Sequence, residues 1–489
     1  VRATAARESF RVRKLAGWFA LCLLTTCAIT FGINSAHAAG DQAAPPADWN
    51  SLDAEALGYF RQYLRFDTTN PPDNTAQAVA YLKQILDREG IETETFESKP
   101  GAVTLLARLP GPPGKKPMLL LSHSDVVPAV ASDWLHPPFA GDLDDGFVWG
   151  RGAIDNKAHG IMAVMTLIAL KRGGVPLRRG VELMINPGEE AGGADGAQWM
   201  VKEHWDAITP AFAVNEGGFA TEDPFGSRSV VFPVAVAEKR VMWLRLTAYG
   251  HSGHGSIPIA NNPTQMLVNA LARLLKRQPH IRIVPLMSEA LADFSSREKF
   301  PYSFELAHLD WPFMLGFAMH GPLKPDFIRA LLRDTIVPTM LDGSLNINVI
   351  PSAATAGLDC RLLPGTDPNA FLARIRRRLH DHNISIELIQ KPGQAPPSPA
   401  SGPAWDAIKA VAATDFPDAL VVPWMMAGGT DSRFLREHGV PTYGFVPVVL
   451  QRSEIERIHG VDERLSVENL NLGIKATYDL AIELCGPQH

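Results

Sequence analysis

The run MLLLSHSDVVP at 118–128 decides how the chain is read. Four apolar residues make a short strand buried on both faces, and His123 and Asp125 follow directly past its end. The same syntax recurs downstream. VELMI (181–185) runs into NPGEEAGG and delivers Glu189 and Glu190, while AFAV (211–214) runs into NEGG and delivers Glu216. The loop GRGAIDNK places Asp155 ahead of a helix-patterned stretch, 157–171, that Gly173 and Gly174 end. In open α/β sheets, loops past the carboxyl ends of the strands converge on one crevice. Four loops thus bring an imidazole and five carboxylates to one rim. Such a cluster repels itself unless cations sit within it. A mixed imidazole–carboxylate set suits a divalent transition metal, zinc first among them. Taken singly, each piece has a plainer reading: a turn histidine, a solvated Glu-Glu pair, a helix-capping aspartate. Their shared order is what favours a metal site.

The 489 residues are enough for several domains. With 46 Lys+Arg against 52 Asp+Glu, a formal charge of −6, the chain lacks the basic excess of a nucleic-acid binder. Residues 1–38 have a basic start (Arg2, Arg7, Arg11, Arg13, Lys14), an apolar middle and the small pair Ala36 and Ala38, the form of a signal peptide. Its removal implies a periplasmic or secreted protein without stable membrane contact; a retained anchor is the alternative. Cys22 and Cys27 leave with it, so Cys360 and Cys485 read as independent buried thiols.

Residues 39–238 and 393–489 read as two parts of one larger α/β domain, interrupted at 239–392 by a smaller one. There the pattern is strand 241–248, helix 263–276, strands near 345–349 and 354–362, helix 368–380 and strand 384–389. That β-α-β-β-α-β order is ferredoxin-like. An insertion at 286–343 is rich in aromatics (Phe300, Tyr302, Phe304, Trp311, Phe313, Phe317), as a satellite core or as the lining of an acyl pocket. KPGQAPPSPASGP at 391–403 reads as the return linker, and Ser466 as the cap of a final helix.

These motifs, together with DWLHPPFAGDLDDGFVWGRGAIDNK (133–157), GHSGHGSIP (250–258), NVIPSAATAGLDCRLLPG (348–365), GGTDSRF (428–434) and HGVDERL (459–465), carry a resemblance. The chain resembles the dizinc amidohydrolases that include carboxypeptidase S, carboxypeptidase G, aminoacylase and succinyl-diaminopimelate desuccinylase. The carboxypeptidase S branch and its secreted N-acyl-amino-acid hydrolase relatives look nearest. The resemblance implies a three-layer α/β/α catalytic domain of zinc-peptidase type, with an inserted ferredoxin-like α+β lid that also dimerises. It implies two Zn2+ ions, with Co2+ or Mn2+ as alternatives. His123 and Glu216 would hold one, Glu190 and His459 the other, and Asp155 would bridge them, with a cis peptide after it.

By the same resemblance Asp125 accepts the second ring N–H of His123, Glu189 is the general base, and His254 of the smaller domain donates to the tetrahedral oxygen. His254 would arrive by closure of that domain or from a partner subunit. Arg361 would pair with a substrate carboxylate, aided by Asn348, Gly429 and Thr430. The implied reaction is hydrolysis of an amide bond next to a free α-carboxylate, in a short peptide or an N-acyl amino acid. A reversible hydrolase/synthase and a non-catalytic peptide binder are the alternatives; an uncoordinated Glu189 speaks against the binder.

Overall fold

The computed structural model describes residues 48–222 and 230–487, so the signal-like segment with Cys22 and Cys27 lies outside the described residues. A ten-stranded mixed sheet runs in the order Glu92–Lys99, Ala102–Leu109, Val181–Asn186, Met118–His123, Phe212–Asn215, Thr442–Gly444, Val230–Glu238, Ala220–Glu222, Val449–Leu450. Leu420–Met426 pairs alongside Val230–Glu238. Met118–His123 lies at its centre, parallel to Val181–Asn186 on one side and to Phe212–Asn215 on the other. The loops carrying His123, Glu189 and Glu216 therefore leave the sheet at one edge, side by side.

Strand alternation explains why MLLL is apolar throughout. Met118 and Leu120 enter a core with the helices Trp49–Leu64, Lys157–Arg172 and Val467–Cys485. Leu119 and Leu121 enter the opposite core with Ala197–Glu203 and Ser432–Glu437. Every residue of Lys157–Arg172 up to Leu170 is buried, since other helices cover its outer face. Ser466 caps the last helix by accepting from the Asn469 N–H at 3.1 Å. Cys360 and Cys485 are both free and buried.

After Glu238 the chain changes sheets. Arg240–Tyr249, Pro263–Leu275, Thr335–Asp342, Ala353–Leu362, Pro368–Leu379 and Ile384–Gln390 build a four-stranded antiparallel sheet with two helices and its own apolar core. This is the expected ferredoxin-like order, with one strand displaced. The strand expected near 345–349 lies at Thr335–Asp342, and Leu345 and Ile347 stand fully in solvent. Alternating apolar residues at 345–349 imitate a strand, whereas Pro338 disguises the true one. Proline is tolerated there because Thr335–Asp342 is an edge strand with an irregular register between Pro338 and Met340.

The aromatic insertion forms four short helices between Pro285 and Leu331. Met287, Leu291, Phe294 and Leu306 pack a satellite core against Val231, Val422 and Met425 of the larger sheet. Phe300, Phe304, Trp311, Phe313 and Phe317 stay exposed and line no cleft at the candidate site. The return linker is pinned as well as irregular. The Ser398 N–H donates to the Val236 carbonyl and its Oγ bonds the backbone of Thr442.

One buried ion pair ties these parts together. Arg436 Nη1 meets Glu238 Oε1 at 2.8 Å, while its other nitrogens donate to Ser398, Thr442 and Ala235. Arg436→Met strands the Glu238 carboxylate in an apolar setting. We expect a loss of about 3–5 kcal/mol, read as a lowered urea midpoint at unchanged slope; a loss under about 1 kcal/mol would assign the pair no such weight.

Candidate metal centre

His123 is fully buried at the end of the central strand. Its Nε2 lies 3.0 Å from Asp155 Oδ1 and 3.4 Å from Glu216 Oε2. The other oxygen of Asp155, Oδ2, lies 3.2 Å from His459 Nε2, which is in turn 3.2 Å from Glu190 Oε2. Asp155 thus divides its two oxygens between two imidazoles, each backed by its own glutamate. These are the five residues expected as ligands, and the structure brings them together. Ligand atoms of His123, Glu189 and Glu216 also lie within 4.8 Å of one another, which brings Glu189 to the same place. The peptide Asp155–Asn156 is cis.

Charge in this nest is strained in both directions. Burial opposes a proton on His123, but the Glu216 charge and bonds to Asp125, Asp155 and Glu216 raise its pKa well above the imidazole range. Bonds to Asp155 and Glu190 raise His459 to about 10. Burial, and then the Glu216 charge, lifts the Glu189 carboxyl well above its usual value; burial lifts Glu190 to about 7. Glu190 Oε1 is buried without a hydrogen-bond partner. Cationic charge is what this donor set lacks, and a pair of divalent ions fits it.

Three buried acids hold the loops in place. Asp125 Oδ1 and Oδ2 accept the N–H groups of Glu189 (3.1 Å) and Glu190 (3.2 Å), and Oδ2 also accepts from Asn70 Nδ2 at 2.8 Å. The expected bond from His123 Nδ1 goes first to the Asp125 carbonyl at 3.0 Å, with the carboxylate at 3.5 Å. The side chain is committed to the Glu189–Glu190 loop, so it orients the histidine less than its own backbone does.

Glu463, inside HGVDERL, does the same for Asp155. It accepts the N–H groups of Ile154 (2.7 Å), Asp155 (3.0 Å) and Gly152 (3.1 Å), and pairs with Arg151 at 2.8 Å. Arg151 stacks over Trp134, 5.0 Å away, and the Leu135 N–H donates to Asp462 Oδ1. That network is why the long stretch from Trp134 to Gly152 accompanies HGVDERL. Both motifs are legible in the sequence, but nothing local to HGVDERL marks Glu463 as the acceptor for the Asp155 loop.

The third acid, Glu238, takes both donors of Thr430, the N–H and the Oγ1, each at 2.8 Å. Thr430 therefore lines the cleft without the free donors expected of it. Arg361 lines it too, but already forks onto Asp359 at 2.7 and 2.9 Å. His254 and Asn348 stand elsewhere. They share an exposed ribbon in which Gly253–His254 pairs with Val349–Ile350, and neither lines the cleft.

The cleft itself holds about 330 Å³. Its polar wall is Asp155, Glu189, Glu190, Glu216 and His459. Its apolar wall includes Phe219, Trp243, Met426, Val446 and Val448. Trp243 and Val241 arrive there because they alternate with Met242 and Leu244, which face the smaller domain's own core.

Comparison with known proteins decides the family. Residues 119–483 match the peptidase family M20/M25/M40. The chain belongs to that family. It is 31% identical over 375 residues to a probable carboxypeptidase S-like 2 of Dictyostelium discoideum, covering 75% of this chain and 71% of that one. It is 30% identical over 410 residues to aminoacylase-1 of Sus scrofa, covering 82% and 89%. Among solved structures, an M20 metallo-carboxypeptidase of Sulfolobus solfataricus superposes with a TM-score of 0.68 at 17% identity, over 88% of this chain and 99% of that one. The protein is an enzyme of the metallopeptidase and amidohydrolase kind, which sets the non-catalytic alternative aside.

The Glu463 cradle has a measurable consequence. Glu463→Gln keeps the shape but weakens the acceptors for the Asp155 loop. Metal affinity should fall about 10- to 100-fold, measured by competition with a chromophoric chelator; unchanged affinity would reduce Glu463 to a packing residue.

Proposed function

We propose that this M20 hydrolase is exported and uses two divalent ions, zinc before cobalt or manganese, to cleave an amide bond beside a free α-carboxylate. The substrate is a short peptide or an N-acyl amino acid with apolar character. What carries this reading is Asp155, one oxygen toward each of two imidazoles, with Glu189 beside them.

His123 and Glu216 would hold one ion, Glu190 and His459 the other, and Asp155 both. Such a pair, when bound, would supply Lewis acidity and make a water more acidic. Glu189 would take a proton from the water that attacks the amide carbon and return it to the departing amine nitrogen. Asp125 fixes the backbone of Glu189 and Glu190 during the transfer, and Glu463 fixes that of Asp155. Phe219, Trp243 and Met426 accept the apolar part of the substrate and exclude water around the bond. The reverse condensation uses the same groups in the opposite order.

Export is supported by the form of residues 1–38. The reading requires Glu189→Gln to retain two equivalents of metal while turnover of an N-acyl amino acid falls about a thousandfold. Dialysis against a chelator should abolish wild-type activity, and zinc should restore it. Full turnover by Glu189→Gln would remove the mechanism.

His254 and Asn348 fit the reading as donors supplied by a second copy. The exposed edge strand carries Met340 and Leu341 at 62% and 61% exposure, followed by Leu345 and Ile347, an apolar margin that a homodimer through the smaller domain would cover. Inactive His254→Ala and inactive Glu189→Gln, mixed under conditions of subunit exchange, should regain about one quarter of wild-type activity. No recovery in exchanged dimers would place His254 in its own subunit's site.

A further inference from the structure

We propose that the helix pair Pro263–Leu275 and Pro368–Leu379 of the smaller domain docks on an anionic phospholipid bilayer. The contact is peripheral and reversible, and it stands apart from the metal centre and its substrate.

The sequence concentrates positive charge here. Residues 261–284 hold Arg273, Lys276, Arg277 and Arg282, and residues 368–380 hold Arg374, Arg376, Arg377 and Arg378. Neither stretch contains an Asp or a Glu. The formal charge of the whole chain is −6, so these eight cations leave −14 for the rest of it. A cation or two at each helix C-terminus complements the helix dipole; eight exceed that need.

The fold brings both groups to one surface. Leu267, Leu271 and Leu274 of the first helix and Phe371, Ile375 and Leu379 of the second enter the smaller domain's core, which leaves the cations on the outward sides. The C-terminal ends of the helices are bonded to each other. Arg273 Nε donates to the Leu379 carbonyl and Arg378 Nη1 to the Arg277 carbonyl, both at 2.8 Å. All eight cations are exposed except Arg378, which is half-buried. Carboxylates answer only two of them, Arg374 through Asp334 at 3.3 Å and Arg273 through Asp381 at 3.8 Å. Arg282 and Arg378 donate to neutral groups. Among the described residues, Lys276, Arg277, Arg376 and Arg377 have no ion pair at all.

Like charges held this close repel one another, and a dense anionic surface relieves them. The chemistry of the patch selects which surface. Nucleic-acid bases need aromatic platforms, whereas neither stretch has a Trp or Tyr and the single Phe, Phe371, is buried. A long polyanion would also run past the patch onto the acidic remainder of the chain. A bilayer is a plane that touches only what faces it, so the cations meet phosphates while the acidic remainder stays in water. Seven of the eight cations are guanidinium groups, whose forks match phosphate oxygens. The signal-like form of residues 1–38 supports an encounter with a membrane.

The test follows the full chain in flotation with phosphatidylcholine vesicles, with and without phosphatidylglycerol. Binding should rise with phosphatidylglycerol and fall with salt. Lys276→Gln, Arg277→Gln, Arg376→Gln and Arg377→Gln combined should weaken binding to the anionic vesicles about a hundredfold or more, at an unchanged urea midpoint. The basic start of the chain is the same in every variant, so the difference belongs to the helices. Arg277→Lys, Arg376→Lys and Arg377→Lys combined should bind as wild type does, since charge is what the bilayer reads. Wild-type binding that ignores phosphatidylglycerol overturns the proposal, as does a fourfold Gln variant that binds undiminished or a Lys variant that binds no better than it. Should the fourfold variant not fold, Lys276→Gln with Arg377→Gln decides: a loss of about tenfold or more supports the docking face, and no loss overturns it.

Discussion

Mutual repulsion among Asp155, Glu189, Glu190 and Glu216 is the constraint from which the rest of this structure follows. Carboxylates brought together in a half-buried cleft are unfavourable by several kcal/mol each unless positive charge lies among them. His123 and His459 meet part of that demand, each close to Asp155 and to one glutamate. Their raised pKa values show how hard the cluster pulls on any available proton. Divalent ions would answer the same pull more fully, through the same lone pairs.

A cluster under such stress needs rigid backbone behind it, and three acids provide that. Asp125 and Glu463 collect backbone N–H groups from the loops that carry Glu189, Glu190 and Asp155, and Glu238 collects that of Thr430 at the cleft's edge. A charged acceptor makes stronger hydrogen bonds than a neutral one, roughly twice as strong, so one buried carboxylate organises a whole turn. Arg151 and Arg436 pair with two of these acids inside the fold. Charge is therefore used twice, once as chemistry and once as scaffolding.

The smaller domain contributes a wall more than a ligand set. Val241 and Trp243 reach the cleft from its first strand, while Arg361 stays with Asp359. The aromatic insertion splits the same way, with Phe294 in the satellite core and Phe313 in solvent. A count of aromatics in that stretch could not separate the two, since the helices there are too short for a clear periodic face.

By itself the sequence determined the strand-then-loop order, the family, the ferredoxin-like insertion and the five residues that meet at one rim. Each of these is local: a buried strand must be apolar throughout, and the residue past its end must sit at the sheet's edge. Only tertiary structure decided which acids act as anchors, which arginine is already neutralised, and where His254 and Asn348 stand. Those answers depend on partners far apart in the chain, such as Glu463 with Arg151 or Arg433 with Gly192. Pairing of that kind leaves no period or spacing to read. The misplaced strand near 345–349 has the same origin: whether alternating apolar residues form a strand depends on a neighbour, and the free partner edge of Ala353–Leu362 went to Thr335–Asp342 instead.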